Sequence, residues 1–387
     1  MTFFLIFAYE KVIAMTLLQL QFIELLKSGL WGIVPDSALF SNSVNWKQLY
    51  KISVEQTVTG IIADGIEKLS PSFYPPKDIL TRFIISKVHI RKMNLSMNRE
   101  INKIFSMMQE SGIRPILLKG QGIAQYYINP ESRSCGDIDM YIGDDNYNEC
   151  CRILLESENT DTEKMEENFL HMGIKFNGIE VEIHRQAGYL KNRKSDYYFQ
   201  TWTKEALDGN SSESLPIWNN EGTDILLPDH TFNAFFLIQH ITKHISTEGI
   251  GFRQICDWIM FLFHNHKNIN QEILTQKLHE YKMREIWDEF SLLAISHLGL
   301  PTEYLPVKPL RKESKRTQKL MNEIFLTGNF GHYDSSRKTL KRYGDEKKKK
   351  RNIHQQIIRL SRIISLFPKY TVHYGINWMT GGIKRLF

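Results

Sequence analysis

The chain has 387 residues, of which 42% are hydrophobic and 24% charged, and it carries four cysteines. That length exceeds what one hydrophobic core usually serves, so two domains are expected. The composition excludes a wholly disordered chain, and the lack of any long apolar run excludes a transmembrane bundle.

Cys150 and Cys151 are adjacent, and neither Cys135 nor Cys256 belongs to a C-x-x-C pair, so neither a disulfide framework nor a structural zinc is expected. The default compartment is reducing. The net charge of +6 is uneven: 20 Lys and Arg against 6 Asp and Glu follow residue 300, leaving 29 against 37 before it. An acidic body with a basic tail suggests an anionic partner for the tail, RNA or a membrane surface; the alternative is a solvated face that balances the body.

Residues 1–14 are apolar but lack a basic n-region and a cleavage site, so they read as an extension upstream of Met15, and the protein as cytoplasmic. From Met15, the positions Leu17, Leu18, Leu20, Phe22, Ile23, Leu25 and Leu26 predict a helix ending near Gly29. Segments 46–69 and 78–110 carry apolar residues at helical spacing, broken by Pro71, Pro75 and Pro76. Residues 113–118 form a short apolar run, followed by the turn Lys119-Gly120-Gln121-Gly122 and a short helical pattern at 123–127. The stretch 133–142 alternates as a strand, 145–157 predicts a helix, and 173–184 predicts a hairpin turning at Asn177-Gly178. Helical patterns return at 229–246, 251–264, 270–281 and 284–298, the last closed by Gly299 and Pro301. The tail contains a Lys- and Arg-rich stretch, 341–351, and an amphipathic segment, 353–367, for which docking on an anionic surface and packing on the helical domain both stand. The fold class that follows is α+β. A small mixed-sheet core at 100–190 is embedded between an N-terminal helical region, 1–99, and a C-terminal helical domain, 191–304, with the basic tail at 305–387.

The chemistry concentrates in 119–184. Asp137 and Asp139, two apart on a predicted strand, project from one side. Carboxylates that close repel unless a cation lies between them, and hard Mg²⁺ takes one or two carboxylates plus phosphate oxygens. Three neighbours favour that reading over a solvated strand edge. The Lys119-Gly120-Gln121 turn offers backbone N–H groups and an ammonium to phosphate. Arg133 can grip a triphosphate, or else pair with Glu131 or Asp137. Glu182 on the hairpin can supply a third carboxylate, with Glu180 on the same face as the alternative.

In order, these residues give Leu117-Leu118-Lys119-Gly120, then Arg133-Ser134-Cys135-Gly136-Asp137-Ile138-Asp139, then Val181-Glu182-Ile183-His184. Together they resemble the nucleotidyltransferase superfamily with the DNA-polymerase-β-like fold, most closely its nucleotidyltransferase-5 type, an uncharacterised bacterial branch. The resemblance extends loosely through 252–257. It implies a transferase that moves a nucleoside monophosphate from an NTP to an acceptor and releases pyrophosphate. It also implies two Mg²⁺ ions held by Asp137, Asp139 and Glu182, with Lys119, Gly120, Gln121 and Arg133 toward the nucleotide phosphates. The superfamily commonly carries Gly-Ser in the turn where this chain has Lys-Gly-Gln, a departure shared by the branch. The rival from another class is a catalytically silent scaffold, or a toxin/antitoxin-type interaction protein, that uses its basic tail to bind a partner.

Other residues invite bland readings. His184 shares the strand face of Glu182 and is either a metal ligand or base, or a hydrogen-bonded pocket wall. His240 and His244 are half of a zinc site at i, i+4, but no H-E-x-x-H follows. Arg253 and Asp257 have the spacing of a helix ion pair that docks the helix, unless Arg253 faces the nucleotide cleft. The aromatic run Phe232, Phe235, Phe236, Phe252, Trp258, Phe261 and Phe263 reads as core.

Overall fold

Thr16 opens the first helix, α1 (Leu17–Trp31), through a capping box: its hydroxyl accepts from the Gln19 N–H while the Gln19 carboxamide oxygen accepts from the Thr16 N–H. The computed structural model describes residues 15–207, 215–333 and 348–383. The expected N-terminal extension and the start of the basic run, 341–347, therefore lie outside the described residues. Helix α1 runs past Gly29, where the pattern predicts its end, because that glycine serves packing. A Cβ there would lie 1.9 Å from the Ile61 carbonyl oxygen on α3 (Thr59–Ile66), so the two helices cross at a distance only glycine permits. The stop falls at Gly32, with φ 65°.

Helix α2 (Trp46–Glu55) is separated from α3 by a break at Thr57, and α4 (Lys77–Glu110) is one helix of 34 residues that crosses the expected boundary at 99/100. Its Phe83 packs with α1 and α3, while Met97, Ile101, Ile104, Phe105 and Met108 pack on the sheet. One rod about 50 Å long thus belongs to both the N-terminal helices and the core.

The strands are β1 (Ile116–Leu117), β2 (Ile138–Tyr141), β3 (Thr160–Glu167), β4 (His171–Phe176), β5 (Ile179–His184), β6 (Ile217–Asn220) and β7 (Thr223–Leu226). They form one mixed sheet in the order β3-β4-β5-β2-β1-β7-β6, with the short helix α5 (Gln121–Ala124) after β1 and α6 (Gly143–Glu156) after β2. The β4–β5 hairpin turns at Asn177-Gly178, φ 48° and 81°, as the sequence predicts. Two features correct the expectation. Strand β3, TDTEKMEE, is a largely exposed edge with no apolar alternation to betray it. The β6–β7 hairpin adds to β1, so the sheet reaches well beyond residue 190.

Helices α7 (Arg193–Leu207), α8 (His230–Thr247), α9 (Phe252–Asn265), α10 (Gln271–Glu280), α11 (Arg284–Leu298) and α12 (Lys315–Thr327) form the second layer. Phe232, Phe235, Phe252, Trp258 and Phe261 are fully buried there, and Phe236 nearly so, as core residues should be. Among the described residues no helix is long and apolar enough to cross a membrane.

In the tail, helices Lys348–Ile363 and Pro368–Ile383 fold back on this layer. Ile363, Leu366 and Phe367 are buried, and Phe367 stacks on Phe290 of α11 with ring centroids 6.2 Å apart. Arg359 donates to the Ile245 carbonyl and pairs with Glu323. Packing therefore covers Ile363, Leu366 and Phe367 of the amphipathic segment, while Ile357 and Ile364 stay exposed. Deleting 341–387 should uncover the apolar side chains that the tail covers, Phe290 of α11 among them, so a lowered melting temperature or aggregation is expected in thermal denaturation.

Candidate active site

The alternation of β2 and β5 decides which residues meet. Ile138 and Met140, like Val181 and Ile183, point into the core shared with α4 and α6. Asp139, Glu182 and His184 must then point to the opposite face, toward α8 and α9. Strands β2 and β5 are parallel, with Asp139 opposite Glu182 and Tyr141 opposite His184. Asp137 sits one residue before β2, in the loop that leads into the strand. One oxygen each of Asp137, Asp139 and Glu182 lie within 4.8 Å of one another.

The turn after β1 closes over this trio. Gly120 has φ 64° and ψ −117°, a conformation closed to other residues, and its Cα comes close enough that a Cβ would touch the Asp137 carbonyl at 3.4 Å. That geometry aims Lys119 inward: its Nζ is 3.0 Å from Asp139 Oδ1. His184 Nε2 lies 3.0 Å from the same oxygen and 3.1 Å from Glu182 Oε2. His171, opposite His184 on β4, brings its Nε2 to 3.8 Å from Glu182 Oε1 and completes a second ligand-like group, His171, Glu182 and His184.

The electrostatics follow from this crowding. Burial works against the ionised Glu182 carboxylate, but the hydrogen bond with His184 and the charges of Lys119, His184 and His171 outweigh it and hold its pKa at about 2. Burial also opposes the charged Lys119 and His184. The Asp139, Asp137 and Glu182 charges nevertheless raise Lys119, and the hydrogen bonds with Asp139 and Glu182 raise His184. Burial lowers His171, and lowers His240 strongly.

Asp139 is buried, and its Oδ2 has no hydrogen-bond partner. An orphaned carboxylate oxygen beside two further carboxylates is a donor set for a hard divalent cation, so the residues present fit such an ion.

Asp137 and Glu182 open into a cleft of about 690 Å³ between the sheet and the helical layer, with Asp139 buried beside them. Lys119, Gly120, Asp137, Glu182 and His184 line one wall, and His240, Lys243, His244, Arg253 and Phe330 line the other. Arg133 contributes at the cleft's base, but its charge is already engaged. Its Nε and Nη2 donate to Asp257 Oδ1 and Oδ2, both at 2.7 Å, and the Tyr127 hydroxyl donates to Asp257 Oδ1, also at 2.7 Å. Asp257 is thus the partner of Arg133, not of Arg253 as the i, i+4 spacing predicts, and neither Glu131 nor Asp137 pairs with Arg133. Arg253 instead donates to the Ser134 and Cys135 carbonyls at 3.2 and 3.4 Å, which leaves a cation facing the cleft at the motif loop.

Gln121 is buried away from the cleft, where its Nε2 donates to Asn98 Oδ1 at 2.7 Å; this side chain anchors the turn to α4. Glu180 is exposed and pairs across the hairpin with Lys175 at 2.9 Å. Asn177 Nδ2 donates to Glu100 Oε2 at 2.8 Å, tying the hairpin turn to α4. His171, Lys243 and Arg253 stand at the site, yet the local sequence carried no firm signal for them, since each is brought in by pairing or packing. His240 and His244 also reach the cleft, their rings 4.4 Å apart and edge-on.

This is an α+β chain whose sheet presents an acidic trio and a glycine turn to a cation-lined cleft. A family model described as an uncharacterised nucleotidyltransferase matches residues 42–299, two thirds of the sequence, and the chain belongs to that family. No curated protein and no solved structure matched it. The matched span contains the carboxylate trio, the turn and Arg253.

Geometry separates the two hairpin glutamates. Glu182→Gln should cost at least a hundredfold in transfer, whereas Glu180→Gln loses only an exposed ion pair and should stay within about twofold of the parent. Steady-state rates of the two variants check this, and the reverse ranking would move the site two residues along β5.

Proposed function

We propose that the chain is a divalent-metal-dependent nucleotidyltransferase that moves a nucleoside monophosphate from an NTP to an acceptor. The observation that carries this reading is the trio Asp137, Asp139 and Glu182, oxygens within 4.8 Å, two of them lining a cleft that also holds cations. These three residues would hold the metal, which when bound supplies Lewis-acid stabilisation of charge on the reacting phosphate. Lys119, the backbone at Gly120 and Arg253 bind and orient the polyphosphate. Arg133, locked to Asp257, positions the loop that carries Asp137. In the transfer, an acceptor oxygen forms a bond to the α-phosphorus as the bond from that phosphorus to the bridging oxygen breaks. Pyrophosphate leaves with that electron pair.

One observation favours a second reading, a catalytically silent scaffold. Lys119 and His184 already satisfy Asp139 Oδ1 at 3.0 Å each, so the cluster is partly compensated without an ion. Thermal denaturation with Mg²⁺ and each of the four NTPs separates the readings: a nucleotide site raises the melting temperature only when both are present, and a scaffold shows no shift. Incubation with α-labelled NTPs and a cell extract then reports transfer directly, as label carried to an acceptor.

A further inference from the structure

Two histidines of the sheet meet at one carboxylate. His171 opens β4 and stands opposite His184 of β5 in the antiparallel register. Their pairing partners along the strands, Met172 and Ile183, enter the core, so both rings share the cleft face with Glu182. The ring centroids are 4.9 Å apart. Glu182 presents one oxygen to each ring, Oε2 at 3.1 Å from His184 Nε2 and Oε1 at 3.8 Å from His171 Nε2. Both Nδ1 atoms are buried and have no hydrogen-bond partner among the described residues, so the polar contacts of each ring run through Nε2.

Asn168 settles which His171 nitrogen carries the lone pair. Its Oδ1 accepts from the Leu170 and His171 N–H groups at 2.8 and 3.3 Å, which fixes the amide with Nδ2 toward the ring. Nδ2 then donates to His171 Nε2 at 3.1 Å, so Nε2 is the unprotonated nitrogen. It faces a carboxylate oxygen with no proton between them, and a cation removes the repulsion of two acceptors. Ligands 2.0–2.2 Å from one ion in a tetrahedron stand about 3.3–3.6 Å from each other. The separations of 3.1 and 3.8 Å bracket that spacing. Two imidazoles and a carboxylate are a donor set of three-ligand zinc centres, whose fourth position stays open, whereas Mg²⁺ prefers oxygen alone. All three residues line the cleft, which supplies the entry path and the open position.

We propose that His171, Glu182 and His184 form a second divalent-cation site, one that takes a nitrogen-preferring transition ion such as Zn²⁺ and shares Glu182 with the carboxylate trio. The ion displaces the Asn168 amide from His171 and replaces the Nε2 proton that His184 shares with Asp139 and Glu182; that proton leaves to solvent. The test titrates the metal-stripped, untagged chain with Co²⁺, whose intense visible bands report a four-coordinate site with nitrogen ligands, and then with Zn²⁺ in competition. The parent should show these bands and lose them to Zn²⁺. His171→Gln and His171→Ala should weaken Co²⁺ by about a hundredfold or more, since even an outer-shell partner is worth roughly 10- to 100-fold. His240→Gln, across the cleft, should leave the bands unchanged. Zn²⁺ should also raise the melting temperature of the parent but not of the His171 variants, whose metal-free melts keep loss of ligation distinct from loss of fold. Three results overturn the proposal: only the faint bands of all-oxygen coordination in the parent, bands that survive both His171 substitutions, or bands lost equally in His240→Gln. The test needs no nucleotide. A parent chain that shows the cobalt bands but binds no Mg-ATP keeps this site and loses the nucleotidyltransferase reading, and the converse result does the opposite.

Discussion

Asp137→Asn should abolish nucleotidyl transfer, by roughly a thousandfold or more, while leaving the melting temperature unchanged. If Asp137 holds the metal as proposed, the substitution removes a ligand charge at constant volume, and metal-held charge at a transition state is worth several kcal/mol. Asp137 is half-buried and lies in loop backbone ahead of β2, so its charge contributes little to the fold. Asp139→Asn differs in kind. Asp139 is 1% exposed, and its Oδ1 faces both Lys119 and His184 at 3.0 Å. Removing that charge leaves the Lys119 ammonium facing an uncharged amide and His184 without its carboxylate partner, so this variant should lose stability as well as turnover, by about 3 kcal/mol from the cost of breaking a buried pair. Activity assays paired with denaturant melts read both effects. Turnover retained in Asp137→Asn would remove the metal site from the reading.

The largest effect on stability is expected away from the chemistry, at Asp257→Ala. Arg133 is 4% exposed and donates to both Asp257 oxygens, and the Tyr127 hydroxyl relies on the same carboxylate. Truncating Asp257 leaves a guanidinium buried without its counter-charge, a change that costs about 3–5 kcal/mol. The melting temperature should fall by on the order of 5–10 °C. Because Arg133 precedes the Asp137 loop, transfer should fall too, through misplacement of that loop rather than loss of a reacting group. Replacing both partners by apolar residues, Arg133→Met with Asp257→Leu, should recover much of the stability, since it removes the orphaned charge as well as the pair. A single Asp257→Ala variant as stable as the parent would show that the pair does not organise the motif loop.

Much of the chain was legible one segment at a time. The helices at 230–247, 252–265, 271–280 and 284–298 follow from apolar spacing and from stops such as Gly299, φ 76°. The hairpin at Asn177-Gly178 follows from two residues that tolerate positive φ. The chemically rich motifs, Lys119-Gly120 and Asp137-Ile138-Asp139, stand out because charge and glycine are unusual between apolar runs. Each of these signals is written in near neighbours along the chain, where backbone preference and period act.

The remainder depended on which segments meet. Asp257 shares a helix turn with Arg253, but its bidentate partner is Arg133, 124 residues away, because the packing of α9 against the motif loop leaves Asp257 facing the buried guanidinium. Glu180 and Glu182 are equivalent by alternation; the parallel register of β5 on β2 sets Glu182 opposite Asp139 and leaves Glu180 at the exposed hairpin beside Lys175. The β6–β7 hairpin, turning at Glu221-Gly222, lacks the Asn-Gly signature and becomes part of the sheet through its pairing with β1. The tail's amphipathic pattern left docking and packing both open, and the fold sets Arg359 and Phe367 against α8, α11 and α12 of the same chain while Ile357 and Ile364 remain exposed. Local sequence sets which surface each element offers; long-range burial decides which surfaces are joined, because a charge or an apolar face gains its stabilising partner only where the packed layers bring one within contact distance.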